Sequence, residues 1–328
     1  YKMNKYFIVT VDTEADWFHQ KENRLNNING LHKLQSLCVE NSLIPTYLIT
    51  YEVATNNNSV RILDKYHQKE LCEIGSHLHV WSTPPYENPN DYNVDLNWFP
   101  AFQSELPDSM LYDKLDSLHK VIIKNFGISP KSHRAGRWGV DSRTINWLSN
   151  NNYLVDSSIC SRKTWSLTRG VKGFMNYNSY KVENEPYFPS LKDITKVEKK
   201  IGDIHKVLEV PVSNLELNFL NNSNSKSIVA INTIMNKLEF YYFGNISFRP
   251  SYNISIDKFK FIVNKLFKKN HKFLNFMLHS NELVLGTSPY SKNKYKQEAL
   301  IKRIEIVFKA AKSFGYKGIK LSDSYNLF

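Results

Sequence analysis

Tyr6-Phe7-Ile8-Val9-Thr10-Val11 runs straight into Asp12-Thr13-Glu14-Ala15-Asp16. Six residues rich in β-branched and aromatic types predict a buried strand. The three carboxylates at its C-terminal tip would crowd like charge unless a cation or a basic side chain sat among them. In α/β proteins the carboxyl ends of strands are where ligands bind. The stretch therefore predicts a strand-end site, with a metal ion as a candidate occupant.

Outward from this strand, helical and strand patterns alternate. Leu31, Leu34, Leu37 and Cys38 recur at helical spacing within 28–39, and 44–50 reads as a strand. Ser59 is placed to cap a helix through Leu71, and 73–81 reads as a third strand and its tip. Asp108 and Asp141 are expected to cap helices through Phe126 and Leu148. Further strands are predicted over 131–135, 153–156, 207–212, 273–279 and 318–321, with helices over 256–269 and 294–314. About eight strands alternating with helices predict an α/β protein, a parallel sheet closed into an irregular barrel. An open doubly wound sheet is the alternative, and no Gly-x-Gly-x-x-Gly or phosphate-loop pattern follows any strand to favour it. The whole chain, 1–328, is expected to form a single catalytic barrel with loop insertions near 82–107, 159–205 and 214–251. The Pro- and Asn-rich stretch after Trp81 is a candidate substrate loop.

A length of 328 residues with 41% hydrophobic and 13% aromatic content supports a large core rather than disorder. The net charge of +12 is spread over the chain. Its densest groups, Lys196 with Lys199-Lys200 and Lys265 with Lys268-Lys269, lack interleaved aromatics, so nucleic acid is not an expected partner. An acidic substrate such as a nucleotide sugar, or a membrane surface, would suit the charge. Cys38, Cys72 and Cys160 are odd in number and far apart, which points to a reducing compartment. No signal-peptide pattern and no apolar run of membrane-spanning length is visible in the given sequence. A cytoplasmic location is expected, with peripheral membrane association and a trimmed leader left open.

Four predicted strands end in chemically capable residues: Asp12 and Glu14, His77 and His79, Arg134, and His279. Residues i and i+2 of a strand share a face, so His77 and His79 can share one cation. With Glu14 or Asp12 they form a two-histidine, one-carboxylate set suited to Zn²⁺, with Co²⁺, Ni²⁺ or Mn²⁺ as other candidates. The competing view is that His77 alone is a ligand and His79 only hydrogen-bonds. His133 and His205 read as ordinary surface or core histidines.

In this order, these motifs resemble the polysaccharide deacetylase superfamily, also called NodB-homology or carbohydrate esterase family 4. Thr10-Val11-Asp12-Thr13-Glu14 is similar to its first motif, and Glu73-Ile74-Gly75-Ser76-His77 to the start of its second. Arg134 in His133-Arg134-Ala135-Gly136-Arg137-Trp138-Gly139 resembles the leading arginine of the third. Asp156-Ser157-Ser158 and Leu278-His279 resemble the fourth and fifth. The resemblance spans residues 6–280. It departs at Trp81, which stands where the second metal histidine usually falls, and at Gly136 and Trp138, which replace a Pro and a Gly. Gly-x-His-x-His-x-Trp, Arg-Ala-Gly-Arg-Trp-Gly and Leu-His-Ser-x-Glu-Leu resemble a divergent branch linked to surface-polysaccharide or O-antigen synthesis.

The resemblance implies a distorted (β/α) barrel of seven or eight strands, and a hydrolase that removes the acetyl group from an N-acetylated sugar, nucleotide sugar or glycan. It assigns Asp12 as general base, Arg134 as the residue orienting it, His279 as general acid, and Glu14 as metal ligand beside His77 and His79. Trp81, Trp138, Trp98 and Asp156 are expected at the substrate, Trp165 is a weaker candidate, and a backbone N–H near Leu78 is expected at the oxyanion. Asp16 is expected to be a bystander or rim residue. Plain packing competes with stacking for each tryptophan. The alternatives are hydrolysis of another C–N bond, such as a ureide or formyl amide, on the same scaffold, or a non-catalytic glycan-binding barrel.

Overall fold

A strand buried on both faces has no reason to alternate, and Tyr6–Thr13 (β1) is buried along its whole length. The computed structural model describes residues 4–86, 102–163, 179–198, 206–216, 245–250 and 254–328. Around β1 lie Thr46–Ile49 (β2), Glu73–Leu78 (β3), Ser132–Ala135 (β4), Val155–Asp156 (β5), Leu208–Glu209 (β8), Phe273–His279 (β11) and Lys317–Ile319 (β12). They form one eight-stranded sheet in the order β11-β1-β2-β3-β4-β5-β8, with β12 paired to β1. Every pair in it is parallel. Two short antiparallel pairs lie apart from it, Pro189–Ser190 (β6) with Asp193–Val197 (β7), and Asn214–Glu216 (β9) with Asn245–Ser247 (β10).

The sheet curls into a distorted barrel. Its two outer strands, β8 and β11, do not pair by a ladder, but Asn275 and the 213 and 248 backbones bridge them. Asn275 donates from Nδ2 to Ser157 Oγ (3.0 Å) and Val210 O (3.3 Å), and from its backbone N to Ser213 Oγ (2.9 Å). Ser213 N donates to Asn275 O, Phe248 N to Ser213 O, and Met277 N to Phe248 O.

Two cores follow from the parity of β1. Phe7, Val9 and Val11 point outward into a large cluster with the helices. These helices include Leu31–Glu40 (α1), Tyr51–Thr55 (α2), Asn57–His67 (α3), Asp108–Phe126 (α4), Ser142–Asn150 (α5), Ile256–Lys268 (α6) and Lys294–Ser313 (α7). Tyr6 and Ile8 belong instead to a smaller cluster with Leu48, Val155, Leu208, Phe273 and Ile319, which fills the lower barrel. Glu73 stands beside this apolar layer, accepting from Thr46 Oγ1, Ser132 Oγ and Ser322 N. The same parity then brings Thr10 and Asp12 to the upper barrel, where the lining turns polar.

Helix starts differ slightly from expectation. Asn56, not Ser59, caps α3, its side chain accepting from Ser59 N. Asp108 is the first residue of α4 rather than its cap, whereas Asp141 caps α5 by accepting from Arg143 N and Thr144 N. Among the described residues no helix is long and apolar enough to cross a membrane. Much of the three expected insertions, together with Trp98, Trp165, Lys199, Lys200 and His205, lies outside the described residues.

Candidate metal centre and active site

Asp12 sits opposite His279 in the β1–β11 register. The Arg134 guanidinium reaches it across the barrel: Nη1 donates to Asp12 Oδ1 at 2.5 Å. Three further Arg134 N–H groups are used as well, Nε on Ser157 O (2.8 Å) and Nη2 on Thr10 Oγ1 and Ser157 Oγ (both 2.9 Å). A buried arginine this fully bonded is a fixed charge. Burial would raise the Asp12 pKa, but Arg134, His77 and His279 outweigh it and hold the carboxyl down to about 2. Its other oxygen, Oδ2, lies 3.8 Å from Nε2 of both His77 and His279.

Glu14, His77 and His79 offer ligand atoms that all lie within 4.8 Å of one another, and all three residues are buried. His77 Nδ1 faces Arg134 O at 2.9 Å, so the carbonyl fixes the tautomer that leaves Nε2 as a lone pair. Burial lowers the His77 pKa to about 4, against the pull of Asp12, so the ring is neutral near pH 7. His79 Nε2 stands 3.0 Å from His77 Nε2 and 3.1 Å from Glu14 Oε2. Burial would raise the Glu14 pKa as well, yet the hydrogen bond and charge of His79 bring it below the ordinary value. Asn281 Nδ2 donates to the other Glu14 oxygen, Oε1 (2.8 Å), which orients Oε2 toward the histidines.

Two imidazoles and one carboxylate converging in a buried cluster, with His77 and Glu14 each held by an outer hydrogen-bond partner, fit a first-row divalent ion. His79 lies one residue beyond the end of β3 yet keeps the i, i+2 side of His77. The Trp81 ring lies against it, centroids 4.3 Å apart. On its other side runs the turn after β4. A Cβ on Gly136 would meet Leu78 O at 2.5 Å and His79 Cδ2 at 2.8 Å. Glycine at 136 is what lets this turn and the His79 ring occupy adjoining space.

The turn continues with Arg137 and Trp138 at φ of 52° and 65°. Non-glycine residues in the left-handed region cost on the order of 1 kcal/mol each and cluster at functional sites. Both side chains line a cavity of about 540 Å³ with Asp12, Glu14, His77, His79, Trp81 and His279. Trp17, Arg249, Met277 and Tyr290 line it too, and sequence reasoning singled out none of them.

His279 has partners that the motifs did not reveal. Its Nδ1 is 3.2 Å from Glu282 Oε1, and Arg249 Nη2 donates to the same carboxylate oxygen at 2.5 Å. Burial would lower the His279 pKa, but the Glu282 hydrogen bond and the Glu14 charge carry it above the ordinary value. Arg249 and His279 in turn hold the buried Glu282 carboxyl down at about 2.

Two expectations change, and His133 keeps its expected place in the core. Asp156 does not reach the cavity: it is fully buried, accepts from Ser158 Oγ at 2.7 Å, and shares a hydrogen bond with Glu209 on the neighbouring strand. Burial raises the pKa of both carboxyls, and each then favours a shared proton over two charges. Asp16 is no rim residue but a buried anchor, accepting from Asn26 N, Asn27 N and Asn27 Nδ2. His133 is a buried core residue against Ser76 Oγ (2.8 Å), its pKa lowered to about 3 by burial.

No protein-family model matches the sequence, and no curated protein sequence matches it. Solved structures do match the fold. A protein provisionally assigned as a glycoside hydrolase/deacetylase from Parabacteroides distasonis is 10% identical, with 99% of this chain and 71% of that chain covered at a TM-score of 0.61. The 4-alpha-glucanotransferase of Thermococcus litoralis is 9% identical over 99% of this chain and 38% of that one, with a TM-score of 0.51. A polysaccharide deacetylase from Mycobacterium smegmatis, also a provisional assignment, is 12% identical over 100% and 91%, with a TM-score of 0.49. The chain thus shares a distorted (β/α) barrel with these structures. A glucanotransferase shares that barrel, so the activity has to be argued from the site.

Proposed function

We propose that this chain is a metal-dependent hydrolase that removes the acetyl group from an N-acetylated sugar, acting on a precursor of a bacterial surface glycan. The observation that carries the reading is the position of Asp12: clamped by Arg134, 3.8 Å from His279 on one side, and beside the Glu14–His77–His79 cluster on the other. That arrangement places an ionised base and an acid side by side at the edge of the ligand cluster, with pKa values pushed apart.

Asp12 takes the proton of the water that attacks the amide carbonyl carbon. A carboxyl held near 2 is a weak base, so it needs an acidified water; a divalent cation in the cluster would supply that acidity and Lewis-acid polarisation of the carbonyl. His279, its pKa raised, gives its proton to the nitrogen as the C–N bond breaks. The products are acetate and a free amino sugar. Glu282 keeps the His279 ring turned with Nε2 toward the reacting centre, and Arg134 keeps Asp12 charged and in place. Trp81 and Trp138 offer faces to a sugar ring, Trp81 while also bracing His79.

The reading treats 1–328 as one catalytic unit. It takes the compartment to be the reducing cytoplasm, where three free, buried cysteines are at home. Acetate release from N-acetylhexosamine substrates tests the base assignment. Asp12→Asn should keep its fold and lose roughly 10²- to 10⁴-fold in kcat. Undiminished activity in a folded Asp12→Asn protein would remove Asp12 from the role.

A further inference from the structure

The charges on the cavity wall do not balance. Asp12 is matched by Arg134 and Glu282 by Arg249, while Glu14 belongs to the ligand cluster. Arg137 also lines the cavity, and it makes no hydrogen bond or ion pair with any described residue. The acid whose charge reaches it, Glu105, is turned to the backbone N–H of Phe102. The Phe102 ring lies 5.3 Å from the guanidinium carbon and supports it from one side. A left-handed backbone at 137, next to a glycine that lets the turn press on His79, directs this side chain to the same cavity as the ligand cluster.

A forked guanidinium whose donors are taken by no described residue matches the paired oxygens of a phosphate or a carboxylate. A cavity of about 540 Å³ has room for a hexosamine and one such group. We infer that the sugar substrate is anionic, and that Arg137 binds its phosphate ester or carboxylate while the acetamido group lies at Asp12 and the Glu14–His77–His79 cluster. This inference rests on the deacetylase reading of that cluster. It makes Arg137 a specificity residue, one that a neutral polysaccharide would not need.

The test is equilibrium binding by calorimetry to the full chain. Three probes are compared: N-acetylglucosamine, its 1-phosphate, and the corresponding uronic acid. The wild type should bind at least one anionic probe about tenfold tighter than the neutral sugar, a ratio within reach of one charge-assisted hydrogen-bonded pair. Arg137→Gln should bring that ratio to about one, and Arg137→Lys should leave it between the two. The favoured probe decides between phosphate and carboxylate. Equal binding of all three probes by the wild type, or a ratio unchanged in a folded Arg137→Gln protein, would overturn the proposal. Acetate release measured in parallel reports on the underlying reading separately. Preference without release leaves the anion site standing and sinks deacetylation; release without preference does the reverse.

Discussion

His279 shows how much of this site depends on a single neighbour. An imidazole buried in a barrel mouth would ordinarily lose its proton, and a general acid must keep it. Glu282, three residues on, supplies the counter-charge, and Arg249 holds Glu282 in its ionised form. In the proposed reaction His279 works protonated, so activity should fall as pH rises through its pKa. Glu282→Gln removes the group that raises this pKa, so the descending limb of the pH–rate profile should move to lower pH. kcat at its optimum should fall by roughly tenfold or more. A limb that stays in place would show that Glu282 only fills space. The Glu282 partnership was present in the sequence as Leu-His-Ser-x-Glu-Leu, but a spacing of three after a strand does not say that the chain turns back. The short helical turn Ser280–Glu282 is what brings the carboxylate under the ring.

At the scale of elements, strand parity explains what could be read in advance. Apolar residues at 6 and 8, then Thr10 and Asp12, follow one inward face of β1 from packed floor to polar site. The same rule put His77 and His79 together. Strand parity did not place Asp156, which the resemblance alone set at the substrate: β5 is two residues long, and the partner carboxylate, Glu209, is distant in sequence and adjacent only through the β5–β8 register. It also could not foresee Arg249, which lies beside a segment without a clear period. The departure of Gly136 from the family pattern now has a physical reason, since the β3 tip and the turn after β4 touch there. Gly136→Ala should displace the His79 ring and weaken Zn²⁺ binding by roughly 10- to 100-fold in a calorimetric titration, with the circular dichroism spectrum unchanged. Native affinity in that variant would mean that the turn does not set the position of His79.

Across the whole molecule, the curled sheet does two separate jobs. Its lower interior is closed by apolar side chains from six strands, and its upper interior is cross-tied by Arg134, Thr10, Ser157 and Asn275 into a polar frame. Asn275 belongs to both the frame and the seam between β8 and β11, so barrel closure and site geometry are linked through one residue. The frame explains why residues from 12 to 279 converge although the sequence separates them so widely. The barrel is shared with enzymes of other activity, and the central claim concerns what its mouth holds. The most direct measurement is acetate release from N-acetylhexosamine substrates by protein stripped of metal and then titrated with a divalent ion. The account predicts no release from stripped protein, full release near one equivalent of ion, and no such restoration in His79→Ala. Undiminished release after stripping, or none from metal-saturated wild type on neutral and anionic substrates alike, would contradict it.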